Sequence, residues 1–353
     1  MKNRNTFGLL QLACQVSTQN KVILPSYKPD ILIGFEQQTI VMPNDYEGEV
    51  VCTLVRKLNK QPTEQAVLYI HGFLDYFFQE EVAEMFTKQG YNFYAIDLRK
   101  YGRSILPNQR PCNFRKIDEY FADLDAAIAQ IRAESNKKLV ILAHSTGGLI
   151  ASLYLNRCKN VCDSLVLNSP FLEMNKGWRT RKISIPVAAF FARLFPNAAV
   201  NSGIVMAIIK PFSHLAVNTQ TASFYGDSLH KSAKGEWEYR LEWKSLTAKK
   251  ITLSWLRGIH QAHKAVKRGL DIQCPILVLS SDKSMRGREW LDAFHQADLV
   301  LSIDQIQHYA TKLGKNVTRQ KIIGGKHDLF LSQKPVRENA YEVMFGWLAK
   351  QSI

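Results

Sequence analysis

The residues best suited to chemistry gather around one serine. The run Leu139-Val140-Ile141-Leu142-Ala143-His144-Ser145-Thr146-Gly147-Gly148 passes from an apolar strand through a tight turn into a helix, with Ser145 at the turn. Such an elbow strains the serine backbone and lifts its hydroxyl out of the carboxyl edge of the sheet, where open α/β sheets bind ligands. Side chains two before and two after the serine would collide there, so both must be small. Ala143 and Gly147 satisfy that need, Ala143 in the place that more often holds Gly. The Thr146 N–H then lies at a helix N-terminus, oriented to hold an oxyanion.

A serine hydroxyl is a weak nucleophile without a base. On a strand–elbow–helix scaffold the partners follow in the order Ser, acid, His. The next apolar core strand is Ile276 to Leu279, and Asp282 follows its end by three residues. The strand at Val317 to Ile323 runs into Gly324-Gly325-Lys326-His327-Asp328, which places His327 on a glycine-bearing loop. All three sit at strand carboxyl ends on one sheet edge, so the expected set is Ser145 as nucleophile, His327 as base and Asp282 as orienting acid. The loop after Ala66 to Ile70 begins His71-Gly72-Phe73, and the Phe73 N–H is expected to be the second oxyanion donor, with His71 bracing the loop.

Rival groups are weaker. His144 adjoins the serine along the turn, and neighbours there do not easily face one another. His260 and His263 read as surface residues of a basic helix; His214, His230, His295 and His308 lack a strand end. Asp328 is too close to His327 in sequence, and Asp298 lies in apparently helical surroundings. Asp304 follows the apolar run Leu299-Val300-Leu301 but opens a helical period, where an N-cap is its simpler role.

These groups need elements to carry them. Thr39 to Met42 and Val50 to Arg56 read as antiparallel strands about a Pro43-Asn44-Asp45 turn. Strand-like Ala66 to Ile70, Asn92 to Ile96, Leu139 to Leu142 and Ser164 to Leu167 alternate with helical Glu80 to Lys88, Ile117 to Ala133 and Gly147 to Leu155. That alternation implies a mostly parallel sheet flanked by helices. From 171 to 270 no strand pattern is evident. Pro275 to Leu279 and Val317 to Ile323 resume the sheet, and Val336 to Lys350 closes the chain as a helix. The expected organisation is therefore an α/β core at 25–170 and 271–353, a helical cap at 171–270, and an N-terminal segment at 1–24. Two apolar stretches of the cap, Ile183 to Phe195 and Ser202 to Phe212, are interrupted by Pro186, Arg193, Pro196 and Lys210. They fall below the ~18 residues a membrane span needs.

With 353 residues and 46% hydrophobic content, the chain can bury a large core. Its net charge is +15, and residues 171–270 hold 16 Lys/Arg against 5 Asp/Glu. Such a field attracts anionic partners, so peripheral contact of the basic cap with an anionic membrane is expected. Nucleic acid is not, since no recognition motif accompanies the charge. Six scattered cysteines read as reduced structural thiols, and Cys158 with Cys162 lacks further ligands to make a metal pair. Lys2 and Arg4 precede a weak apolar run, Phe7 to Val16, that Gln11 and Gln15 interrupt without a cleavage site. A cytoplasmic protein of open oligomeric state is the resulting expectation.

Together these landmarks resemble the serine aminopeptidase-like α/β-hydrolases, a group that includes monoacylglycerol lipases and bacterial lysophospholipases. The matching pieces are His71-Gly72, Asp97-x-Arg99 with Tyr101-Gly102-Arg103-Ser104, His144 to Gly148, Ser281-Asp282 and Gly324 to Asp328. The resemblance implies an α/β-hydrolase fold and hydrolysis of esters, often lipid monoesters, without a cofactor or metal. It implies Ser145, Asp282 and His327 as the triad and the Phe73 and Thr146 amides as the oxyanion hole. Phe73-Leu74-Asp75-Tyr76 departs from the Gly-Glu continuation of monoacylglycerol lipases and stands closer to the bacterial lysophospholipase-like branch; Lys100 stands where Gly is frequent. Two alternatives remain. A peptidase releasing N-terminal residues would need an acidic cap group, with Glu236, Glu238 and Glu242 as candidates. A catalytically silent binding protein could use the same fold.

Overall fold

The computed structural model describes residues 26–200, 219–246 and 251–351. The 1–24 segment and the Ser202 to Phe212 stretch lie outside the described residues. Nine strands form one sheet: β1 (Lys28–Pro29), β2 (Glu36–Asp45), β3 (Gly48–Lys57), β4 (Gln65–Ile70), β5 (Asn92–Asp97), β6 (Lys138–His144), β7 (Ser164–Asn168), β8 (Ile276–Ser281) and β9 (Val317–Ile322). Their order is β1-β2-β3-β5-β4-β6-β7-β8-β9. The pairs from β5 through β9 are all parallel, and β1, β2 and β3 join antiparallel at one edge.

The central strands are continuous apolar runs because both faces are covered. Alternate residues serve alternate faces. Leu68, Ile70, Ile141 and Ala143 pack in the same core as α2 (Glu119–Ala133) and α3 (Thr146–Arg157). Val67, Tyr69, Val140 and Leu142 pack in the core of α1 (Glu80–Lys88) and the C-terminal helix. Burying each Leu, Ile or Val of these strands contributes roughly 1.5–3 kcal/mol.

One local expectation is corrected. Pro43-Asn44-Asp45 is not the turn between β2 and β3; it is the end of β2, where the register shifts between Met42 and Asp45. The turn is Tyr46-Glu47, closed by the Asp45 carboxylate, which accepts the Glu47 N–H at 2.7 Å, and by Gly48 at φ 98°. Proline has no N–H to give a ladder, so a bulge accommodates it.

Between β7 and β8 the described residues form α4 (Ile185–Phe191, entered through a π-helical turn at Thr180–Ser184), α5 (Thr219–Leu229) and α6 (Leu253–Arg268). Beyond β8 come α7 (Ile303–Ala310) and α8 (Lys334–Leu348). Among the described residues no helix is long and apolar enough to cross a membrane. Cys52, Cys162 and Cys274 are free thiols.

Candidate active site

β6 ends at His144, and α3 begins at Thr146, so one residue turns the chain. Ser145 does this at φ 51°, ψ −116°, a conformation that costs an L-residue about 1–3 kcal/mol. Backbone bonds on both sides hold it there: the Ser145 N–H donates to the Asn168 carbonyl at 3.0 Å, and its carbonyl accepts the Phe171 N–H at 2.9 Å. The demand for small neighbours is geometric. A Cβ on Gly147 would lie 2.3 Å from the His71 carbonyl oxygen and 2.7 Å from that of Ile70.

His327 follows β9 on a loop that turns at Gly324, φ 71°. Its flanking residues are fixed separately. Lys326, buried, donates from Nζ to the Ser228 carbonyl at the end of α5 at 2.6 Å, and burial lowers that amine to about 8. The Asp328 carboxylate accepts from Asn168 Nδ2 at 2.7 Å and from Gln79 Nε2 at 3.2 Å. Held between them, the imidazole places Nε2 2.9 Å from Ser145 Oγ and Nδ1 2.8 Å from Asp298 Oδ2. A carboxylate can only accept, so Nδ1 carries the proton and Nε2 is free to take one from the hydroxyl. All three side chains are buried, with Tyr225 edge-on to the imidazole at 5.5 Å between centroids.

The expected acid is thus corrected: the carboxylate on His327 is that of Asp298, not Asp282. After β8 the chain leaves the sheet edge through residues 286–297, which include a 3₁₀ turn at Asp292–Gln296 anchored by buried Phe294. It then returns as a bridge in which Met285 N–H donates to the Asp298 carbonyl and Asp298 N–H to that of Lys283, each at 3.0 Å. The excursion puts Asp298 back at the β8 edge, and its surroundings are not helical. Its second oxygen accepts the Val300 and Leu301 N–H groups at 2.7 and 2.8 Å, which fixes the carboxylate plane. This local Asp turn, ahead of Leu299-Val300-Leu301, was the available signal. Asp282 is half-buried and accepts the Gly324 N–H at 2.8 Å, so it pins the start of the histidine loop instead.

The loop carrying Phe73 passes directly over the serine: a Cβ on Gly72 would lie 3.2 Å from Ser145 Cβ. His71 braces it, accepting the Leu98 N–H on Nε2 at 3.1 Å and donating from Nδ1 to the Gly72 carbonyl at 2.8 Å. Thr146 is the first residue of α3, so its N–H has no acceptor within the helix. His144 bonds the Asn168 carbonyl through Nδ1, and burial lowers it to about 4, which leaves it neutral. Deeper in the loop system, Asp97 accepts from Phe77 N–H and Arg103, and Arg99 chelates Asp123. The buried Lys100 lies 2.7 Å from both Asp45 and Glu47.

Another buried ion pair, Lys244 Nζ to Asp75 Oδ1 at 2.6 Å, ties this loop to the inserted stretch. Burial acts to raise the Asp75 carboxyl, but Lys244, aided by His144 and His71, holds it below the usual carboxylate range. A depressed carboxyl stabilises the fold above its unfolded pKa, and that contribution is lost as pH falls through the folded value. Lys244→Met is therefore expected to cost about 3–5 kcal/mol near neutral pH, because it strands a buried charge. The deficit should shrink on acidification as Asp75 takes a proton; denaturant melts across pH would show a pH-independent deficit if Asp75 were not the stranded group.

Beside the Phe73 loop lies a cavity of about 490 Å³ walled by Phe73, Leu74, Pro111, Cys112, Ile251 and Trp255, with Phe73 and Trp255 rings 4.8 Å apart. His263, expected at the surface, is buried: its Nε2 meets the Phe171 carbonyl at 3.0 Å, and burial lowers it to about 4. The acids Glu236, Glu238 and Glu242 are exposed and ion-paired with Arg337, Lys231 and Arg240. Among the described residues no group of three or more His, Cys, Asp or Glu is arranged to hold a metal ion.

The geometry has counterparts. A family model described as serine aminopeptidase, S33 matches residues 61–285. Lysophospholipase L2 of Escherichia coli (strain K12) is 33% identical over 113 residues, which span 31% of this chain and 31% of that one. Monoacylglycerol lipase of Mycolicibacterium smegmatis is 27% identical over 139 residues, 38% of this chain and 48% of the relative. The aligned part thus spans about a third to a half of these curated relatives. A soluble variant of monoglyceride lipase from Saccharomyces cerevisiae superposes with a TM-score of 0.60 at 14% identity, covering 89% of this chain and 96% of that one. A lipase in an open form gives 0.64 at 12% identity over 89% and 99%. At such identities the structural likeness establishes the α/β-hydrolase fold.

Proposed function

From the premise that the chain belongs to the serine aminopeptidase (S33) family, we propose that it is a serine hydrolase cleaving carboxylic esters through an acyl-enzyme, with a lipid monoester of the lysophospholipid or monoacylglycerol kind as substrate. The observation that carries the reading is the unbroken chain from Ser145 Oγ through His327 to Asp298, with links of 2.9 and 2.8 Å. Ser145 attacks the ester carbonyl while His327 takes its proton, and Asp298 holds the tautomer and balances the imidazolium. The Phe73 and Thr146 amides receive the oxyanion, a pair in which each donor is worth about 3 kcal/mol of barrier. His327 returns the proton to the departing alcohol as the acyl C–O bond breaks. Water, deprotonated by the same imidazole, then releases the acid and restores the serine.

The largely apolar cavity beside Phe73, walled in part by Ile251 and Trp255 of the inserted stretch, supports an acyl chain as the recognised part. The names of the curated relatives point the same way. The peptidase alternative is not favoured, since its candidate acids are paired at the surface. The test is a panel of p-nitrophenyl acetate, octanoate and palmitate, alongside lysophospholipids, monoacylglycerols and amino-acid amides. The octanoate should exceed the acetate in kcat/KM by at least about tenfold, as several buried methylenes at roughly 0.8 kcal/mol each allow. Preference for acetate would remove the lipid assignment, and turnover of the amides alone would restore the peptidase.

A further inference from the structure

The helix α4 is assembled the wrong way round for an ordinary surface helix. Its inward face is small: Ala188, Ala189 and Ala192, with Ile185, are buried where α4 packs on α6. Its outward side is large: Ile183 in the turn before the helix, Phe190 within it and Leu194 just after it are exposed, Phe190 and Leu194 to 59% and 67%. Trp178 and Phe195, 62% and 50% exposed, extend the patch at either end. A helix apolar all round is stable at a surface only when something covers it, and contiguous exposed patches of this kind mark interaction sites.

The charge around the patch says what covers it. Between Glu173 and Asp227 the sequence has no Asp or Glu and six Lys/Arg. Arg181 is engaged with Glu173 at 3.3 Å, but Arg179, Lys182 and Arg193 stand exposed around the apolar patch. Arg179 and Arg193 lie 5.7 and 5.9 Å from the Trp178 and Phe190 ring centres, so their charges flank the greasy side chains. A tryptophan and phenylalanines ringed by cations with no carboxylate partner among the described residues match a bilayer interface, with acyl tails below and anionic head groups around.

We propose that the α4 face, from Trp178 to Phe195, docks the protein on an anionic phospholipid surface. The site stands apart from the ester chemistry and does not depend on it. The α6 helix beneath carries Trp255 on the cavity, so docking would set the cavity wall next to the lipid.

Vesicle co-sedimentation of the whole chain tests this, with phosphatidylcholine alone and with phosphatidylcholine doped with phosphatidylglycerol. Binding should be strong to the anionic vesicles, weak to the neutral ones, and reduced by salt. Each basic residue near such a surface contributes about fivefold in partition, so Arg179→Gln/Lys182→Gln/Arg193→Gln should weaken anionic binding roughly hundredfold. Phe190→Ser/Leu194→Ser/Phe195→Ser should abolish binding to both vesicles while leaving the thermal unfolding midpoint in place. Wild-type protein that ignores both vesicles, or an apolar triple that binds as wild type does, overturns the proposal. So does a wild-type dimer in sedimentation velocity that the apolar triple dissociates, which would assign the face to a second copy. None of these readouts uses ester turnover, so failure here and failure of the hydrolase reading are separable.

Discussion

Replacing Asp298 with Asn is expected to lower kcat/KM for an ester by about 10⁴-fold, while the same change at Asp282 should cost about tenfold or less. The contrast follows from what each carboxylate touches. Asp298 accepts the hydrogen bond of the His327 Nδ1–H, and its other oxygen is saturated by two backbone amides, so an Asn there keeps its shape and loses its function. The side chain must then present either an N–H to a nitrogen that already bears hydrogen, or force the imidazole into the tautomer that cannot accept from Ser145. Both outcomes remove the base, and ~10⁴ corresponds to about 5 kcal/mol of barrier. Asp282 only receives the Gly324 N–H, and an Asn oxygen can still receive it. Steady-state kinetics on both variants decide the point. Comparable losses, or a larger one at Asp282, would reinstate the acid expected from strand-end position.

The second large effect is at the proposed nucleophile. Ser145→Ala should reduce kcat by about 10⁶ and abolish covalent labelling by a fluorophosphonate probe, with the fold intact because alanine also fits the elbow. Residual turnover of about 10³ over water is expected, since the Phe73 and Thr146 amides remain in place. Labelling that persists in this variant would identify another nucleophile and dissolve the enzymatic assignment. Loss of labelling with unchanged turnover would show that the probe and the substrate use different groups. A wild-type chain that neither labels nor turns over any ester would leave the silent-binding alternative standing.

Legibility in the sequence differed with the range of the interaction involved. The serine elbow was readable because its requirements are local: an apolar strand, a residue able to bear positive φ, and small neighbours, all within a few positions of Ser145. The histidine was readable for a similar reason, since a glycine-bearing loop after a strand needs only residues 317–328. The buried strands announced themselves because faces covered by helices demand unbroken apolar runs. Sequence thus determined the serine elbow, the histidine loop, the braced His71-Gly72 loop and the alternation of strand and helix around them.

The acid was a matter of tertiary structure. Nearness to a strand end favoured Asp282, but a carboxylate reaches an imidazole through space, and the chain spends residues 286–297 away from the sheet before it returns Asp298. Period-based reading took that excursion for helix, because Phe294 and its neighbours serve a small satellite core rather than the sheet. Burial of His263 and the Lys244–Asp75 tie were hidden likewise, since both depend on which face of a distant segment lands on the core. The reversed packing of α4, alanines inward and phenylalanine outward, could not be read from composition, because an apolar stretch has no preferred inside until a neighbour claims one face of it.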